Sequence, residues 1–364
     1  MPRSYAETPS LACALVSDET LAGPAGAVAA RIAQRWGMDV HVFLERRDIS
    51  ASVPQTRIPG VTYHFETLLG EARDYLPDDP RFTMATWGRL FVPRALSHYD
   101  RVLYCDIDIL LGPKPDWLET LALSHGLGMV RDYYIGMHYS RMCPDELRQS
   151  RGVDPAAYFN SGILLIDTAR WDLDGILLAL RDYLARFRPR LLDQDFLNHH
   201  FAGRITELSP NLNFQQSLMG LGIDHAVTPA IRHYCHDVKP YHRLPRRGAA
   251  LAVERAAVEF RAMLAEAGLP QQALEPHSTP RAVHRFRASL DRLFYALGVR
   301  GRRATRLEVQ WRDRRREVLS ILRRSVSEGR FADPNILDLD APLPRLQFRG
   351  HEIVPVAMPE RSRR

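Results

Sequence analysis

Apolar segments of strand length alternate with an Ala-rich segment through the first hundred residues. Residues 11–17, 39–44 and 60–65 are the predicted strands, and residues 26–36 are the predicted helix between the first two. Strand–helix–strand alternation is typical of a doubly wound α/β sheet, whose ligands bind beyond the carboxyl ends of the strands. The pattern therefore predicts an α/β fold with its functional site at that edge, where Asp18 follows the first strand.

Two carboxylates come near the end of another predicted strand, residues 102–111. Strand side chains alternate between faces with period two, so Asp106 and Asp108 are expected to point the same way. Like charges placed together are costly to bury unless a cation or hydrogen bonds stabilise them. Oxygen ligands suit a hard divalent ion that also binds substrate phosphates, so the pair is a candidate metal site. The alternative is a solvated strand end that happens to carry two acids.

An imidazole and an ammonium group follow a further predicted strand near residue 231. His233 is near the strand end, and Lys239 comes six residues later. Read together with the Asp pair, His233 could complete a metal site, and Lys239 could bind a phosphate as a point charge. A purely structural histidine remains the alternative.

The four cysteines do not have the spacing of a zinc site. Cys13 and Cys105 lie within apolar, strand-like segments, where cysteine usually acts as a small buried apolar residue. This favours a reducing compartment. The sequence contains neither an evident signal peptide nor an apolar run of the ~18 residues that cross a bilayer. We expect a protein that is soluble or bound to a membrane surface.

Charge is distributed unevenly along the chain. Residues 246–364 contain 24 Arg, no Lys and 14 acidic residues, a net charge of +10, whereas the whole chain carries +6. Residues 1–245 therefore carry −4. The predicted organisation is an α/β domain over residues 1–245 and a basic, mainly helical extension over residues 246–364, with irregular structure after Phe331. The asymmetry indicates an anionic partner for the extension.

Residues 281–325 are the most basic part of the extension, with 14 Arg against four acidic residues. A predicted amphipathic helix, residues 282–297, places an apolar stripe beside these arginines, as in helices that lie on anionic lipid. This predicts binding to an anionic membrane surface. One alternative is that the stripe packs on the first domain. Nucleic-acid binding is disfavoured, because residues 1–245 are acidic, hold the candidate site and contain no recognised binding motif.

Six short segments occur in a fixed order along the chain. They are Val16-Ser17-Asp18-Glu19-Thr20, Thr86-Trp87-Gly88-Arg89-Leu90, the predicted strand from Val102 to Leu111, Phe159 to Asp167 with its Asn160-Ser161-Gly162, Asp193-Gln194-Asp195-Phe196-Leu197-Asn198, and His233 to Pro240. In this order they resemble glycosyltransferase family 8, which includes lipooligosaccharide galactosyltransferases and glycogenin. The resemblance runs from about Leu11 to His242, roughly two thirds of the chain.

The resemblance implies a GT-A (Rossmann-like) nucleotide-sugar transferase fold and retaining transfer of a hexose from a UDP-sugar to a saccharide or glycolipid acceptor. It also implies Mn²⁺, or Mg²⁺, held by Asp106, Asp108 and His233. The residues implied to contact the donor are Asp18 and Thr20 at the nucleoside, Arg89, Asn160, and Lys239 at the diphosphate. The residues implied to lie around the transferred sugar and the reaction centre are Asp193, Gln194 and, near the acceptor, Asp132.

Two positions depart from the family's usual pattern. His236 stands where the family usually has Gly, and Tyr241 stands where it usually has Trp. A second hypothesis is therefore that this chain binds sugar nucleotide but does not catalyse transfer. Retention of configuration requires either a covalent intermediate on Asp193 or Gln194, or attack from the face that UDP leaves. The expected setting is bacterial lipopolysaccharide synthesis in the cytoplasm, at the inner face of the membrane.

Overall fold

The computed structural model describes most of the 364-residue chain. The described residues are 10–45, 58–65, 68–77, 79, 83–133, 144–223, 227–244, 251–271, 273–274, 302–333, 339, 346–349 and 352–355. The predicted helix at residues 282–297 lies outside them, as does half of the basic stretch at residues 281–325.

The centre of the fold is a seven-stranded mixed sheet in the order β3-β2-β1-β4-β7-β6-β8. Its strands are β1 (Leu11–Asp18), β2 (Asp39–Glu45), β3 (Val61–His64), β4 (Arg101–Cys105), β6 (Leu127–Arg131), β7 (Phe159–Asp167) and β8 (Thr206–Leu208). A second sheet joins β5 (Ile109–Leu111), β10 (Ile231–His233) and β9 (Phe214–Gln215), and a hairpin joins β11 (Leu346–Arg349) and β12 (Glu352–Pro355). Only β7 runs antiparallel to its neighbours in the large sheet, so the predicted α/β class is confirmed.

Helices cover the sheet and carry several polar side chains to its edge. They are α1 (Ala22–Trp36), α2 (Val92–Ala95), α3 (Pro144–Arg151), α4 (Leu173–Arg186), α5 (Asp193–His200), α6 (Gln216–Met219), α7 (Leu251–Glu266) and α8 (Arg302–Ser327). Helix α1 ends at Gly37, whose φ of +62° suits glycine at a helix terminus. None of the helices within the described ranges is long and apolar enough to cross a membrane.

The predicted strand at residues 102–111 is in fact two strands in two different sheets. Strand β4 ends at Cys105, and β5 begins at Ile109 and pairs with β10. The carboxylates of Asp106 and Asp108 therefore lie on the bend between the sheets. Strand alternation is not the reason that the two carboxylates face the same point, because the chain crosses from one sheet to the other at these residues.

The basic extension shares the core of the α/β domain. Phe260 of α7 and Leu322 of α8 are fully buried in the same apolar cluster as Leu15 of β1. Arg31 of α1 forms an ion pair of 2.9 Å with Glu266. The described helices of the extension are thus packed on the sheet. The boundary between two domains at residue 245 stays a prediction.

One other expectation needs correction. The chain after Phe331 was expected to be irregular, but it contains the β11–β12 hairpin. Short apolar segments next to Pro and Gly give weak periodicity, so this hairpin was not recognisable from the pattern. The segment from Thr86 to Leu90 lies in a 3₁₀ helix, Met84–Leu90, which is followed by the single turn of α2.

Candidate active site

Three potential metal ligands from two sheets converge at one point. His233 Nε2 lies 3.1 Å from Asp108 Oδ1 and 3.7 Å from Asp106 Oδ2. One ligand atom from each residue falls within 4.8 Å of the others. In the described part of the chain, no other group of three His, Cys, Asp or Glu residues meets this condition. The predicted set Asp106, Asp108 and His233 is therefore brought together by the fold.

The surroundings of these three side chains fit a cation. Asp108 Oδ1 and His233 Nε2 are both buried and have no hydrogen-bond partner, a costly arrangement that a shared cation would relieve. Gly162 lies against them, and a Cβ at this position would come within 2.2 Å of His233 Cε1 and 2.8 Å of Asp106 Oδ2. Carboxylate and imidazole ligands are compatible with Mn²⁺ or Mg²⁺.

Lys239 lies at the same point. Its ammonium donates to Asp108 Oδ2 over 2.5 Å and to Tyr234 O over 3.2 Å. Burial raises the pKa of Asp108, but Lys239 and then His233 outweigh burial and hold that pKa well below its usual range. Asp108 is consequently an anion, which is the form that binds a metal.

A buried guanidinium connects this group to the start of helix α5. Arg89 Nη2 donates to Asp106 Oδ1 over 3.1 Å, and Arg89 Nε lies 3.1 Å from Asp193 Oδ2. Its Nη1 donates to the backbone oxygen of Ser161 over 2.5 Å and to Ser161 Oγ over 2.8 Å. Burial raises the pKa of Asp193 to about 6, against the opposing effect of Arg89. Arg89 thus holds two acidic side chains on either side of itself.

The residue before Asp193 has an unusual backbone. Leu192 has φ +43°, the only positive φ among non-glycine residues of the described chain. Strained residues of this kind persist where the surroundings enforce them, often beside functional groups. Asp195 helps to enforce it, because its Oδ2 accepts from the N–H groups of Arg190 and Leu191 at 2.7 and 3.1 Å. This turn directs Asp193 and Gln194 into the site.

A cluster of amides and one carboxylate forms the other side of the site. Asn160 Nδ2 donates to Gln194 Oε1 over 3.1 Å, and Gln194 Nε2 donates to Asp132 Oδ2 over 3.0 Å. All three side chains are buried, with Asp132 only 4% exposed. These three predicted residues are therefore in mutual contact. Asn213, which the sequence analysis did not select, links the cluster to His233 through hydrogen bonds of 2.8 Å to Asn160 and 3.0 Å to His233.

Asp18 and Thr20 lie at the carboxyl end of β1, apart from these clusters. Asp18 Oδ1 accepts from Thr20 N at 2.9 Å, Thr20 Oγ1 at 2.5 Å and Leu21 N at 3.2 Å. This is a helix-capping arrangement, so Asp18 has a structural role in addition to any role with a ligand. Tyr241 connects this region with the metal ligands, because burial followed by the charges of Asp108, Asp106 and Asp18 raises the pKa of Tyr241.

Comparisons with known proteins agree with this geometry. The sequence model described as Glycosyl transferase family 8 matches residues 49–244. The chain is 28% identical to glycosyltransferase GlyF of Streptococcus pneumoniae over 45% of its own length and 39% of GlyF. It is 25% identical to general stress protein A of Bacillus subtilis, over 50% of this chain and 68% of that protein. The chain spans only 39% of GlyF and 50% of a putative glycosyltransferase of Haemophilus influenzae that it also matches.

Solved structures show the same fold. The galactosyltransferase LgtC, in complex with donor and acceptor sugar analogues, superposes with a TM-score of 0.54 at 21% identity, over 75% of this chain and 98% of LgtC. The parallel-rich sheet is that of the GT-A fold. Since the family model covers more than half of the chain, this protein belongs to glycosyltransferase family 8.

Proposed function

We propose that this chain is a metal-dependent, retaining glycosyltransferase that moves a hexose from a UDP-sugar to a saccharide acceptor in a bacterial surface glycan or glycolipid. The observation that supports this most strongly is the convergence of Asp106, Asp108 and His233 within 4.8 Å, with Lys239 beside them. Three metal ligands and an ammonium group at one point form a site for a diphosphate and a divalent cation.

Asp106, Asp108 and His233 would hold the cation, Mn²⁺ or Mg²⁺. When bound, such a cation supplies Lewis-acid stabilisation of the negative charge on the departing diphosphate. Lys239 supplies a second positive charge at the same place, and its hydrogen bond to Asp108 keeps the ammonium oriented towards the ligand group. Fixed charges of this kind act most strongly in a buried site, where solvent does not need to reorganise.

The surroundings of Gln194 and Asp193 support attack on the sugar from the face that UDP leaves. Gln194 Oε1 already accepts hydrogen bonds of 3.1 Å from both Asn160 Nδ2 and Ser161 N. Asp193 Oδ2 lies 3.1 Å from Arg89 Nε, whose N–H donates to Thr86 O, and the residue is 2% exposed. The hydrogen bonds to Gln194 Oε1 and the positive charge beside the Asp193 carboxylate weaken both oxygens as nucleophiles, which argues against a covalent intermediate. In this proposal, both side chains orient the transferred sugar.

Asp132 and Asn160 are proposed to bind hydroxyl groups of the sugars. Asp132 is a buried acceptor beside Gln194 Nε2, and Asn160 is the second residue of strand β7. Groups of this kind fix the orientation of a saccharide by matching its hydroxyl groups. Asp18, Thr20 and Arg89 are proposed to act at the nucleotide, Arg89 mainly by holding Asp106 in place.

The test is a panel of UDP-sugars incubated with Mn²⁺ and with chelator, followed by NMR of the product. We expect UDP release from at least one UDP-hexose with Mn²⁺ only, and a product with the same anomeric configuration as the donor. An inverted product would contradict the retaining mechanism. Binding of UDP without turnover of any donor, in the presence of glycan acceptors, would favour the catalytically silent alternative.

We further propose that the extension binds an anionic membrane surface and so brings the enzyme to a lipid-linked acceptor. In α8, Val318, Leu319 and Leu322 are buried against the core, whereas Arg312, Arg316 and Arg324 are exposed. The apolar face thus packs on the α/β domain, and these arginines lie on the solvent side of the helix, where Arg316 also pairs with Asp313 at 3.2 Å. Each basic residue near such a surface contributes about 1 kcal/mol.

Vesicle sedimentation tests this proposal. Removing the extension would expose the core, so the better variant is Arg312→Gln/Arg316→Gln/Arg324→Gln in the full chain. We expect this variant to bind phosphatidylserine vesicles at least threefold more weakly than the wild type at low salt. Its matched control is Arg94→Gln/Arg148→Gln/Arg170→Gln, which removes three exposed arginines elsewhere. Equal binding by wild type and both variants, or binding that ignores lipid charge, would overturn the membrane proposal.

A further inference from the structure

Helix and strand residues around His233 form a chain of amides with a fixed direction. Gly162 N donates to Asn160 Oδ1 over 3.1 Å, and Ser161 N donates to Gln194 Oε1 over 3.1 Å. A backbone N–H can only donate a hydrogen bond, so the side-chain atom that it meets must be an oxygen. The orientations of Asn160 and Gln194 are therefore determined by the backbone of β7.

The orientation of Asn160 determines that of Asn213. Asn160 Oδ1 can only accept, so the atom of Asn213 that lies 2.8 Å from it must be Nδ2. The other terminal atom, Oδ1, then faces His233 Nδ1 at 3.0 Å. An amide oxygen cannot donate, so His233 Nδ1 must carry the hydrogen of this bond.

We propose that Asn213 is a positioning residue that keeps a hydrogen on His233 Nδ1 and thereby leaves Nε2 as the metal-binding nitrogen. A neutral imidazole has one N–H and one lone pair, and the hydrogen bond at one nitrogen selects which is which. With the hydrogen on Nδ1, the lone pair of Nε2 points at the gap shared with Asp108 Oδ1, 3.1 Å away. The lone pair of His233 Nε2 is thus directed at the proposed metal site before a cation binds.

Both side chains of the Asn213–His233 hydrogen bond are buried. Asn213 is fully buried, and His233 is 1% exposed, so water cannot replace the amide oxygen at Nδ1. Without Asn213 Oδ1, the hydrogen could move to Nε2, where Asp108 would accept it. The imidazole would then lose its lone pair at the metal site. Outer partners of metal ligands typically change metal affinity about 10- to 100-fold when removed.

This inference rests on the proposed metal site, and two measurements separate them. The first is the tautomer of His233 in the metal-free full chain, read from ¹⁵N-histidine NMR at pH 8 and assigned with His233→Gln. We expect hydrogen on Nδ1 in the wild type. Hydrogen on Nε2 alone would overturn the inference.

The second measurement is the Kd for Mn²⁺ alone, from electron paramagnetic resonance of free Mn²⁺. We expect Asn213→Leu to raise the Kd about 10- to 100-fold. Asn211→Leu is the matched control, since it removes a nearby buried amide that donates to Thr228 O, and its Kd should not change.

The outcomes distinguish the two proposals. Equal Mn²⁺ affinity of Asn213→Leu and wild type would overturn the inference and leave the metal site intact. Hydrogen on Nδ1 in a wild-type protein that does not bind Mn²⁺ would overturn the metal site, and with it the role of Asn213 in metal binding.

Discussion

Lys239 Nζ lies 2.5 Å from Asp108 Oδ2, so a proposed phosphate-binding cation is hydrogen-bonded to a proposed metal ligand. Burial lowers the pKa of Lys239, but Asp108 outweighs burial and raises it, which keeps the ammonium charged. A bound cation would therefore share the Asp108 carboxylate with Lys239, beside the position proposed for the diphosphate.

Lys239→Met is expected to weaken UDP binding while strengthening the binding of Mn²⁺ alone. Loss of a charged hydrogen bond to the diphosphate costs about 1.5–3 kcal/mol, or roughly 10- to 100-fold in Kd. Removal of a competing positive charge from Asp108 favours the metal. Calorimetry with UDP and with Mn²⁺ measures both effects. The control is Lys114→Met, since Lys114 is the only other lysine and pairs with Glu119 at 2.7 Å.

Comparison of the two lysine variants tests the role of Lys239 at the diphosphate. If Lys239→Met bound UDP as tightly as Lys114→Met, the ammonium would have no part in holding the diphosphate. Its bond to Asp108 would then be structural.

Arg89→Leu is expected to lower the free energy of unfolding strongly. Arg89 is buried between Asp106 and Asp193, and removal of one partner of a buried ion pair typically costs about 3–5 kcal/mol. Urea denaturation measures this change. The control is Arg94→Leu, which breaks an exposed ion pair of 2.7 Å with Asp174 and should cost under about 1 kcal/mol. Similar losses for the two variants would contradict the assignment of Arg89 as the link between the two acids.

Gly162→Ala is expected to weaken Mn²⁺ binding at least about tenfold, because overpacking displaces neighbours that are already in contact. The new Cβ would meet His233 Cε1 at 2.2 Å and Asp106 Oδ2 at 2.8 Å. Both are proposed ligands, so their movement should appear in the Kd for Mn²⁺. The control is Gly23→Ala in α1, where an added Cβ meets nothing within 4 Å. Unchanged Mn²⁺ affinity in Gly162→Ala would place the metal elsewhere.

The stability of the fold is expected to fall as the pH is lowered from about 6.5 to about 4. Burial and then His64 and His98 lower the pKa of His41 from 6.5 to about 4, and Asp39 opposes them only weakly. The unfolded chain takes up a proton near pH 6.5 while the folded chain does not, so acid favours unfolding. We expect a loss of about 1–2 kcal/mol, less than the full pKa shift implies, because the effects of His64 and His98 require those histidines to be protonated as well.

Urea denaturation between pH 4 and pH 8 measures this dependence. His41→Gln should flatten the curve, and His125→Gln, which alters an exposed histidine, should not. Some dependence will remain, because burial and then Arg204 also lower the pKa of His200 to about 4. An unchanged curve in His41→Gln would contradict the argument.

Much of the site could be predicted from the order of short motifs. Strand β1 and the acidic pair Asp106 and Asp108 were visible because acids occur at or near the ends of apolar runs of strand length. The predicted continuity of residues 102–111 was wrong, since an apolar run does not reveal a change of sheet. That change is what brings Asp108 to His233, through the pairing of β5 with β10.

Asn213 shows why some functional positions escape sequence analysis. It stands in a short polar–apolar stretch before β9, and nothing in its neighbours marks it. Its importance comes from contacts with Asn160, 53 residues away, and His233, 20 residues away. Such contacts depend on tertiary packing and not on local pattern, although a buried amide beside a metal ligand is recognisable once the fold is known.

The most direct test of the central claim is the rate of UDP release from the preferred UDP-sugar, measured after chelation and again after Mn²⁺ is added back. We predict that chelated wild-type protein is inactive and that added Mn²⁺ restores its activity. We predict that Asp106→Asn/Asp108→Asn remains at least ~100-fold slower than the wild type with Mn²⁺ present, a loss of roughly 2.7 kcal/mol of transition-state stabilisation. Full activity in chelator, or in the double variant, would contradict it.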